Sequence, residues 1–212
     1  MKTGIVAVIA MVVLNACNSN DKKAHNNADT VKPVRTNTVS TEKKKPEVTV
    51  EKPAIINILD TVAPKRIVLY IKDSAKNFDR ISIKLGAIYG VKLAEVLKKN
   101  GLKMAGAPMA WYKSQKAPFF FEAGVPVNKK PAKLPANVFV REMGADSITT
   151  AHFYGPYNLL GQGYDAIKDR LKDEKKTASA PPYEIYVDDA IDKNGKPVDP
   201  YRIRTDIVFP RH

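Results

Sequence analysis

The sequence predicts an α+β fold built from a duplicated β-α-β-β repeat, in which two halves related by a pseudo-twofold axis share an antiparallel sheet with helices packed on it. Three observations carry that prediction. Two strand-like segments recur in the same order in both halves, each half has an apolar stretch closing on a glycine ahead of a helical pattern, and every aromatic side chain lies between Tyr70 and Phe209. The aromatic distribution locates the core.

Residues 1–16 read as an address. Met1-Lys2 precedes an apolar run from Gly4 to Leu14, the n-region and h-region of a secretory signal. A membrane span needs about 20 apolar residues, and this run is too short. It ends in Leu14-Asn15-Ala16-Cys17, which resembles a bacterial lipobox with Asn15 as its imperfect position, so Cys17 is the expected lipidation site. A plain secretory signal followed by an unrelated cysteine is the alternative. Cys17 is the one cysteine of the chain, which excludes an intramolecular disulfide and a cysteine-rich zinc site. Three scattered histidines do not complete a metal site, and no cofactor is implied.

Residues 17–64 hold the lipidated cysteine and a segment rich in Asn, Lys, Thr, Val and Pro. With no aromatic anchor it cannot offset its ordering entropy and reads as a disordered tether. Ile55, Ile56, Ile58 and Leu59 can nevertheless form a short docking strand. The domain proper is expected over residues 65–212, with repeats at about 65–127 and 137–212.

The chain carries 35 basic and 22 acidic side chains, a formal charge of +13, most of it in residues 65–212. Such a balance can suit nucleic acid. Here the lysines are dispersed in pairs such as Lys98-Lys99 and Lys129-Lys130, with no nucleic-acid motif, and an exported protein meets no genome. Solvated faces and attraction to anionic lipid are the expected roles.

In the first half, Gly106 to Tyr112 is followed by Phe119-Phe120-Phe121-Glu122-Ala123-Gly124-Val125-Pro126. In the second, Ala180-Pro181-Pro182-Tyr183-Glu184-Ile185-Tyr186 is followed by Arg202 to Pro210. Each half therefore has a Pro-x-x-x-Tyr strand and then a strand ending in proline, with Glu122 and Asp206 at matching places. The upstream stretches are Ile67 to Gly86 and Val138 to Gly155. The helix after the second puts Leu160, Tyr164, Ile167 and Leu171 on one face. The helix after the first runs from about Ala87 to Asn100-Gly101, a C-cap.

The order Gly-x-Pro-x-x-x-Tyr, Gly124-Val125-Pro126-Val127, His152-Phe153-Tyr154-Gly155-Pro156-Tyr157 and Tyr183-Glu184-Ile185-Tyr186 resembles the GyrI-like domain, the effector-binding domain also fused to AraC- and MerR-type regulators, with a SOUL-like fold. The resemblance covers roughly residues 65–212. It implies a cavity for flat, lipophilic cations with an acidic residue at the place of Glu184. A desolvated carboxylate flanked by aromatic faces suits such ligands on physical grounds too.

Strand alternation puts Glu184 and Tyr186 on one face and Tyr183, Ile185 and Val187 on the other. Under the repeat alignment Glu184 matches Ala110 and Tyr186 matches Tyr112, which leaves one carboxylate between two symmetric tyrosines. The expected ligand-binding set is Glu184, Tyr186, Tyr112, Tyr154, Tyr157 and Trp111. For Glu184 an edge-strand position facing water competes with the cavity, for Trp111 a core position competes with a stacking wall, and for Tyr154 and Tyr157 plain packing competes with a groove. Glu122 and Asp206 read as surface salt-bridge partners and His152 as a structural residue. No catalytic residue is assigned.

The expected function is a lipid-anchored protein of the bacterial envelope that binds a small amphipathic or cationic molecule between its repeats. One rival is a small-molecule hydrolase with Glu184 as base and Tyr186 or Tyr112 as hydrogen-bond donor. The other is an envelope protein-interaction module using the Phe119-Phe120-Phe121 run. The leaflet on which the lipid sits stays open.

Overall fold

The computed structural model describes residues 52–114 and 116–212. Its eight strands, β1 (Ile55–Val62), β2 (Arg66–Ala75), β3 (Met109–Tyr112), β4 (Phe119–Val127), β5 (Phe139–Met143), β6 (Ser147–Tyr154), β7 (Tyr183–Tyr186) and β8 (Arg204–Pro210), form one antiparallel sheet. After β2 come α1 (Phe78–Ala87), a π-helical stretch (Ile88–Leu93) and α2 (Ala94–Lys99), which make one continuous helix. After β6 a 3₁₀ turn (Tyr157–Leu159) leads into α3 (Leu160–Asp173). The predicted signal, Cys17 and the tether as far as residue 51 lie outside the described residues.

The order across the sheet is β1-β6-β8-β7-β3-β4-β2-β5. It is palindromic when β1 is matched with β5, β2 with β6, β3 with β7 and β4 with β8. The pseudo-twofold axis therefore passes between β3 and β7. Each β-α-β-β unit also gains a leading strand that it lends to the other half, since β1 pairs with β6 and β5 with β2.

β1 corrects the expected tether boundary: residues 55–62 belong to the sheet. Their β-branched side chains alternate, so Ile56 and Ile58 pack on the cluster beneath α3 while the backbone satisfies the edge of β6. Asp60 fastens the strand, accepting from Thr149 Oγ1 at 2.7 Å and from Arg170 at 3.2 Å.

The first helix begins at Phe78, well before the expected Ala87. Asn77 caps it, its side-chain oxygen accepting from the Arg80 N–H at 3.0 Å. Of the apolar residues up to Leu85 that read as a continuing strand, Ile81 is buried and Leu85 packs beside it, and these two form the inward face of α1. The helix ends where the Asn100-Gly101 pair predicts, with Gly101 at φ 57°. In α3, Leu160, Tyr164, Ile167 and Leu171 are all buried against Phe153, Ile207 and Phe209.

β1 and β2 stand six places apart in the sheet yet are joined by residues 63–65. A flat sheet would hold them about 29 Å apart, and the link reaches at most about 14 Å. The sheet must curl, and the matching β5–β6 link at residues 144–146 imposes the same bend. The two links meet: the Ala63 N–H donates to the Asp146 carbonyl at 2.9 Å and the Ala145 N–H to the Ala63 carbonyl at 2.7 Å. Gly144, at φ 109°, makes the turn.

The helices cover the outer face of the curl. The inner face holds Val68, Met109, Trp111, Ile148, Tyr183 and Val208. Of the three consecutive phenylalanines, Phe119 and Phe121 enter the core beneath α1 while Phe120 points the other way and is exposed. Among the described residues, all eight strands, the helices and three apolar clusters lie within residues 53–212, which have the hydrophobic core that a unit folding alone requires. Among the described residues no helix is long and apolar enough to cross a membrane.

Candidate functional site

The two short strands β3 and β7 meet at the axis, where Ala110 faces Glu184 across the ladder. Alternation sends Met109, Trp111, Tyr183 and Ile185 to the inner cluster. It sends Ala110, Tyr112, Glu184 and Tyr186 to the helix side. Glu184 is 3% exposed.

Two hydroxyls hold the carboxylate. Tyr164, from α3, donates to Oε1 at 2.8 Å, and Tyr186 donates to Oε2 at 2.9 Å. With Glu184 ionised, the Tyr186 proton is committed, so Tyr112 is the donor in the 2.8 Å contact between the Tyr112 and Tyr186 hydroxyls. Tyr89, from the π-helical stretch, donates to the Met109 carbonyl at 2.8 Å, and its ring centroid lies 6.3 Å from that of Tyr186. Tyr157, on the 3₁₀ turn, also has its ring centroid 6.3 Å from that of Tyr186 and leaves 54% of its surface exposed. Five tyrosines thus surround one carboxylate.

No lysine, arginine or histidine among the described residues pairs with Glu184. Burial pushes its carboxyl up to about 7, against the two hydroxyl hydrogen bonds that favour the ionised form. Burial and the Glu184 charge together raise the hydroxyls of Tyr112, Tyr157, Tyr164 and Tyr186, which stay neutral donors. The arrangement can bind a cation, or hold and release one proton near neutral pH.

Of the expected residues, Glu184, Tyr186, Tyr112 and Tyr157 come together. Trp111 and Tyr154 do not, and the reason is the period of two. Trp111 is buried on the inner face, its ring 5.5 Å from Tyr183 and 4.5 Å from the Arg141 guanidinium. Tyr154 alternates with Phe153, which packs beneath α3, and so points away from the site toward Arg204. Sequence reading missed two members. Tyr164 carried a signal, being the one hydroxyl in a stripe otherwise made of Leu160, Ile167 and Leu171. Tyr89 carried none, since a π-helical register sets its direction.

Glu122 and Asp206 are ion-paired as expected but are not surface residues, at 5% and 6% exposure. Curling of the sheet encloses them. Glu122 binds Lys113 at 2.8 Å and also Arg141. Burial acts to raise its carboxyl, but the two cations outweigh it and hold it below the usual range. Asp206 takes Arg204 at 2.9 Å and His152 Nδ1 at 2.6 Å, which gives His152 a structural partner. Among the described residues no group of three or more His, Cys, Asp or Glu is placed to hold a metal.

Two surface cavities open elsewhere. One of about 630 Å³ is lined by Lys65, Arg66, Pro126 and Met143, and one of about 560 Å³ by Lys92, Val96, Lys133 and Leu134. Neither reaches Glu184, whose site is closed by its own tyrosines.

No protein-family model matches the chain, and no curated protein matches it. Solved structures do. The C-terminal domain of EcmrR superposes with a TM-score of 0.62 at 22% identity, over 74% of this chain and 98% of that one. EcmrR in a cryo-EM complex with DNA gives 0.61 at 22% identity over 75% of this chain, which spans 57% of the EcmrR chain. SAV2435 bound to tetraphenylphosphonium gives 0.48 at 13% identity, over 74% and 94%, a likeness too loose to bear on the site. The chain therefore has the fold of the EcmrR C-terminal domain, the fold that the GyrI-like resemblance implies.

Proposed function

We propose that the domain binds a small amphipathic or cationic molecule, non-covalently, on the sheet between its two helices. The observation that carries this reading is Glu184: a carboxylate 3% exposed, with no basic partner among the described residues, inside a ring of tyrosines. Leaving such a carboxylate without a counter-ion costs free energy that an entering cation recovers. The tyrosine faces add about 0.5–2 kcal/mol of cation–π attraction and accept varied flat shapes. Because the site is closed, binding requires the ring to part, and the half-exposed Tyr157 is its outermost member. In the same reading residues 1–16 are a signal peptide and Cys17 carries a lipid that holds the domain to the bacterial envelope, as the lipobox-like sequence suggests.

The test is the melting temperature of residues 53–212 against lipophilic cations and matched neutral aromatics, with Glu184→Gln in parallel. The proposal expects a rise with cations that disappears in the variant. A rise equal for neutral compounds, or unchanged in Glu184→Gln, removes the role of the acid.

One observation favours a second reading, small-molecule hydrolysis. A carboxyl pushed up to about 7 beside neutral hydroxyl donors is poised as a general base, with Tyr186 or Tyr112 stabilising developing charge. Turnover of a reactive ester or epoxide, abolished in Glu184→Gln while binding persists, would promote it. An absence of turnover across such compounds retires it.

A further inference from the structure

The pseudo-symmetry supplies an internal control, because the two helical elements occupy equivalent places yet present different outer faces. The exposed residues of α3 are Gly161, Gln162, Asp165, Lys168, Asp169, Lys172 and Asp173, with charges of both signs and no large apolar side chain. The first helix does the opposite. Phe78 at its start is 71% exposed, Ile83 58% and Val91 52%, and Ala87 between the last two is also exposed. Ile83 and Ala87 stand one turn apart, and Val91 continues the stripe into the π-helical stretch. Around the stripe, Arg80, Lys92, Lys98 and Lys99 are exposed against Asp79 and Glu95.

A stripe of exposed apolar side chains flanked by lysine and arginine, with an aromatic ring at one end, is the pattern of a helix that lies in a membrane interface. We propose that the outer face of the α1–α2 helix docks on an anionic lipid bilayer, Phe78, Ile83 and Val91 entering the headgroup boundary and Arg80, Lys92, Lys98 and Lys99 meeting lipid phosphates. Charge complementarity selects this occupant. A second copy of the chain would set the same basic face against itself, at a cost in like-charge repulsion. The docking uses none of the residues around Glu184 and does not depend on what binds there.

The experiment is co-sedimentation of residues 53–212 with vesicles of phosphatidylcholine alone and of phosphatidylcholine mixed with phosphatidylglycerol, over a range of salt. Two variants accompany it, Ile83→Asp with Val91→Asp, and Lys98→Glu with Lys99→Glu, beside a control, Gln162→Asp on α3. All five positions are exposed, and an unchanged melting temperature verifies each fold. The expected result is binding to the anionic vesicles only, weakening as salt rises, and reduced at least about tenfold by either double variant but not by the control. Equal binding to both vesicles, no binding to either, or loss in the α3 control overturns the proposal. So does a concentration-dependent dimer in light scattering that Ile83→Asp with Val91→Asp abolishes.

Discussion

The hydroxyls of Tyr112 and Tyr186 meet at 2.8 Å, although the two residues are 74 positions apart and hold equivalent places in two repeats. They touch because the pseudo-twofold axis passes between Ala110 and Glu184, directly opposed in β3 and β7. The same axis explains why only one of that pair is acidic. Opposed residues of an antiparallel ladder have Cα atoms about 5 Å apart, so two desolvated carboxylates there would repel, whereas alanine leaves Glu184 room.

The hydroxyl relay makes an ordered prediction. Tyr186→Phe removes a donor from Glu184 and the acceptor of Tyr112, and is expected to cost about 2–3 kcal/mol at pH 8. Tyr112→Phe removes only the outer link and is expected to cost about 1 kcal/mol. Denaturant unfolding of both variants checks the order, and equal costs would mean that the relay does not run through Tyr186.

Stability should depend on Glu184 in a definite direction. Its carboxyl is raised from 4.5 to about 7 on folding, so between those values the native state holds more protons than the unfolded chain. Its contribution is therefore fully present below about pH 4.5 and is lost as pH rises to about 7, by roughly 3 kcal/mol. Glu122, Asp60 and Asp73 are lowered on folding and act in the opposite sense. The measurement is accordingly the difference between wild type and Glu184→Gln across this range. Parallel curves would contradict the assignment.

The inner-face ion pair is expected to stabilise without touching ligand affinity. Glu122→Ala leaves Arg141 beneath Tyr70 and Trp111 without its counter-ion. The loss is about 2 kcal/mol, below the usual figure for a fully buried pair because Arg141 and Lys113 reach solvent. Calorimetric titration of any compound found to stabilise the wild type should give the same affinity for Glu122→Ala, Trp111→Phe and Tyr154→Phe, and a weaker one for Tyr157→Ala.

β1 makes the domain boundary testable. A chain beginning at residue 65 loses eight ladder pairs on β6, the packing of Ile56 and Ile58, and the Asp60 contacts. It should be several kcal/mol less stable than residues 53–212, a fall of about 10 °C or more in melting temperature. Equal melting temperatures would return residues 55–62 to the tether.

The duplication, the sheet with helices on it, the buried stripe of α3 and the isolation of one acid between two tyrosines were legible in the sequence, because each follows from local rules. Period-two alternation, the 3.6-residue repeat and the Asn100-Gly101 cap act over a few residues, and the duplication printed them twice. The exchange of β1 and β5 between halves was not legible. It pairs residues about seventy to one hundred positions apart, such as Leu69 with Val140 and Ile58 with Ala151, and depends on a sheet edge that exists only once the rest has folded. The burial of Glu122 and Asp206 was hidden for the same reason, since alternation names a face and only the curl forced by two three-residue links settles whether that face is open. Tyr164 and Tyr89 reach the site from helices whose approach is set by packing. Local pattern told which side chains share a face. Which faces meet was a matter of long-range closure, and no run of a few residues encodes that.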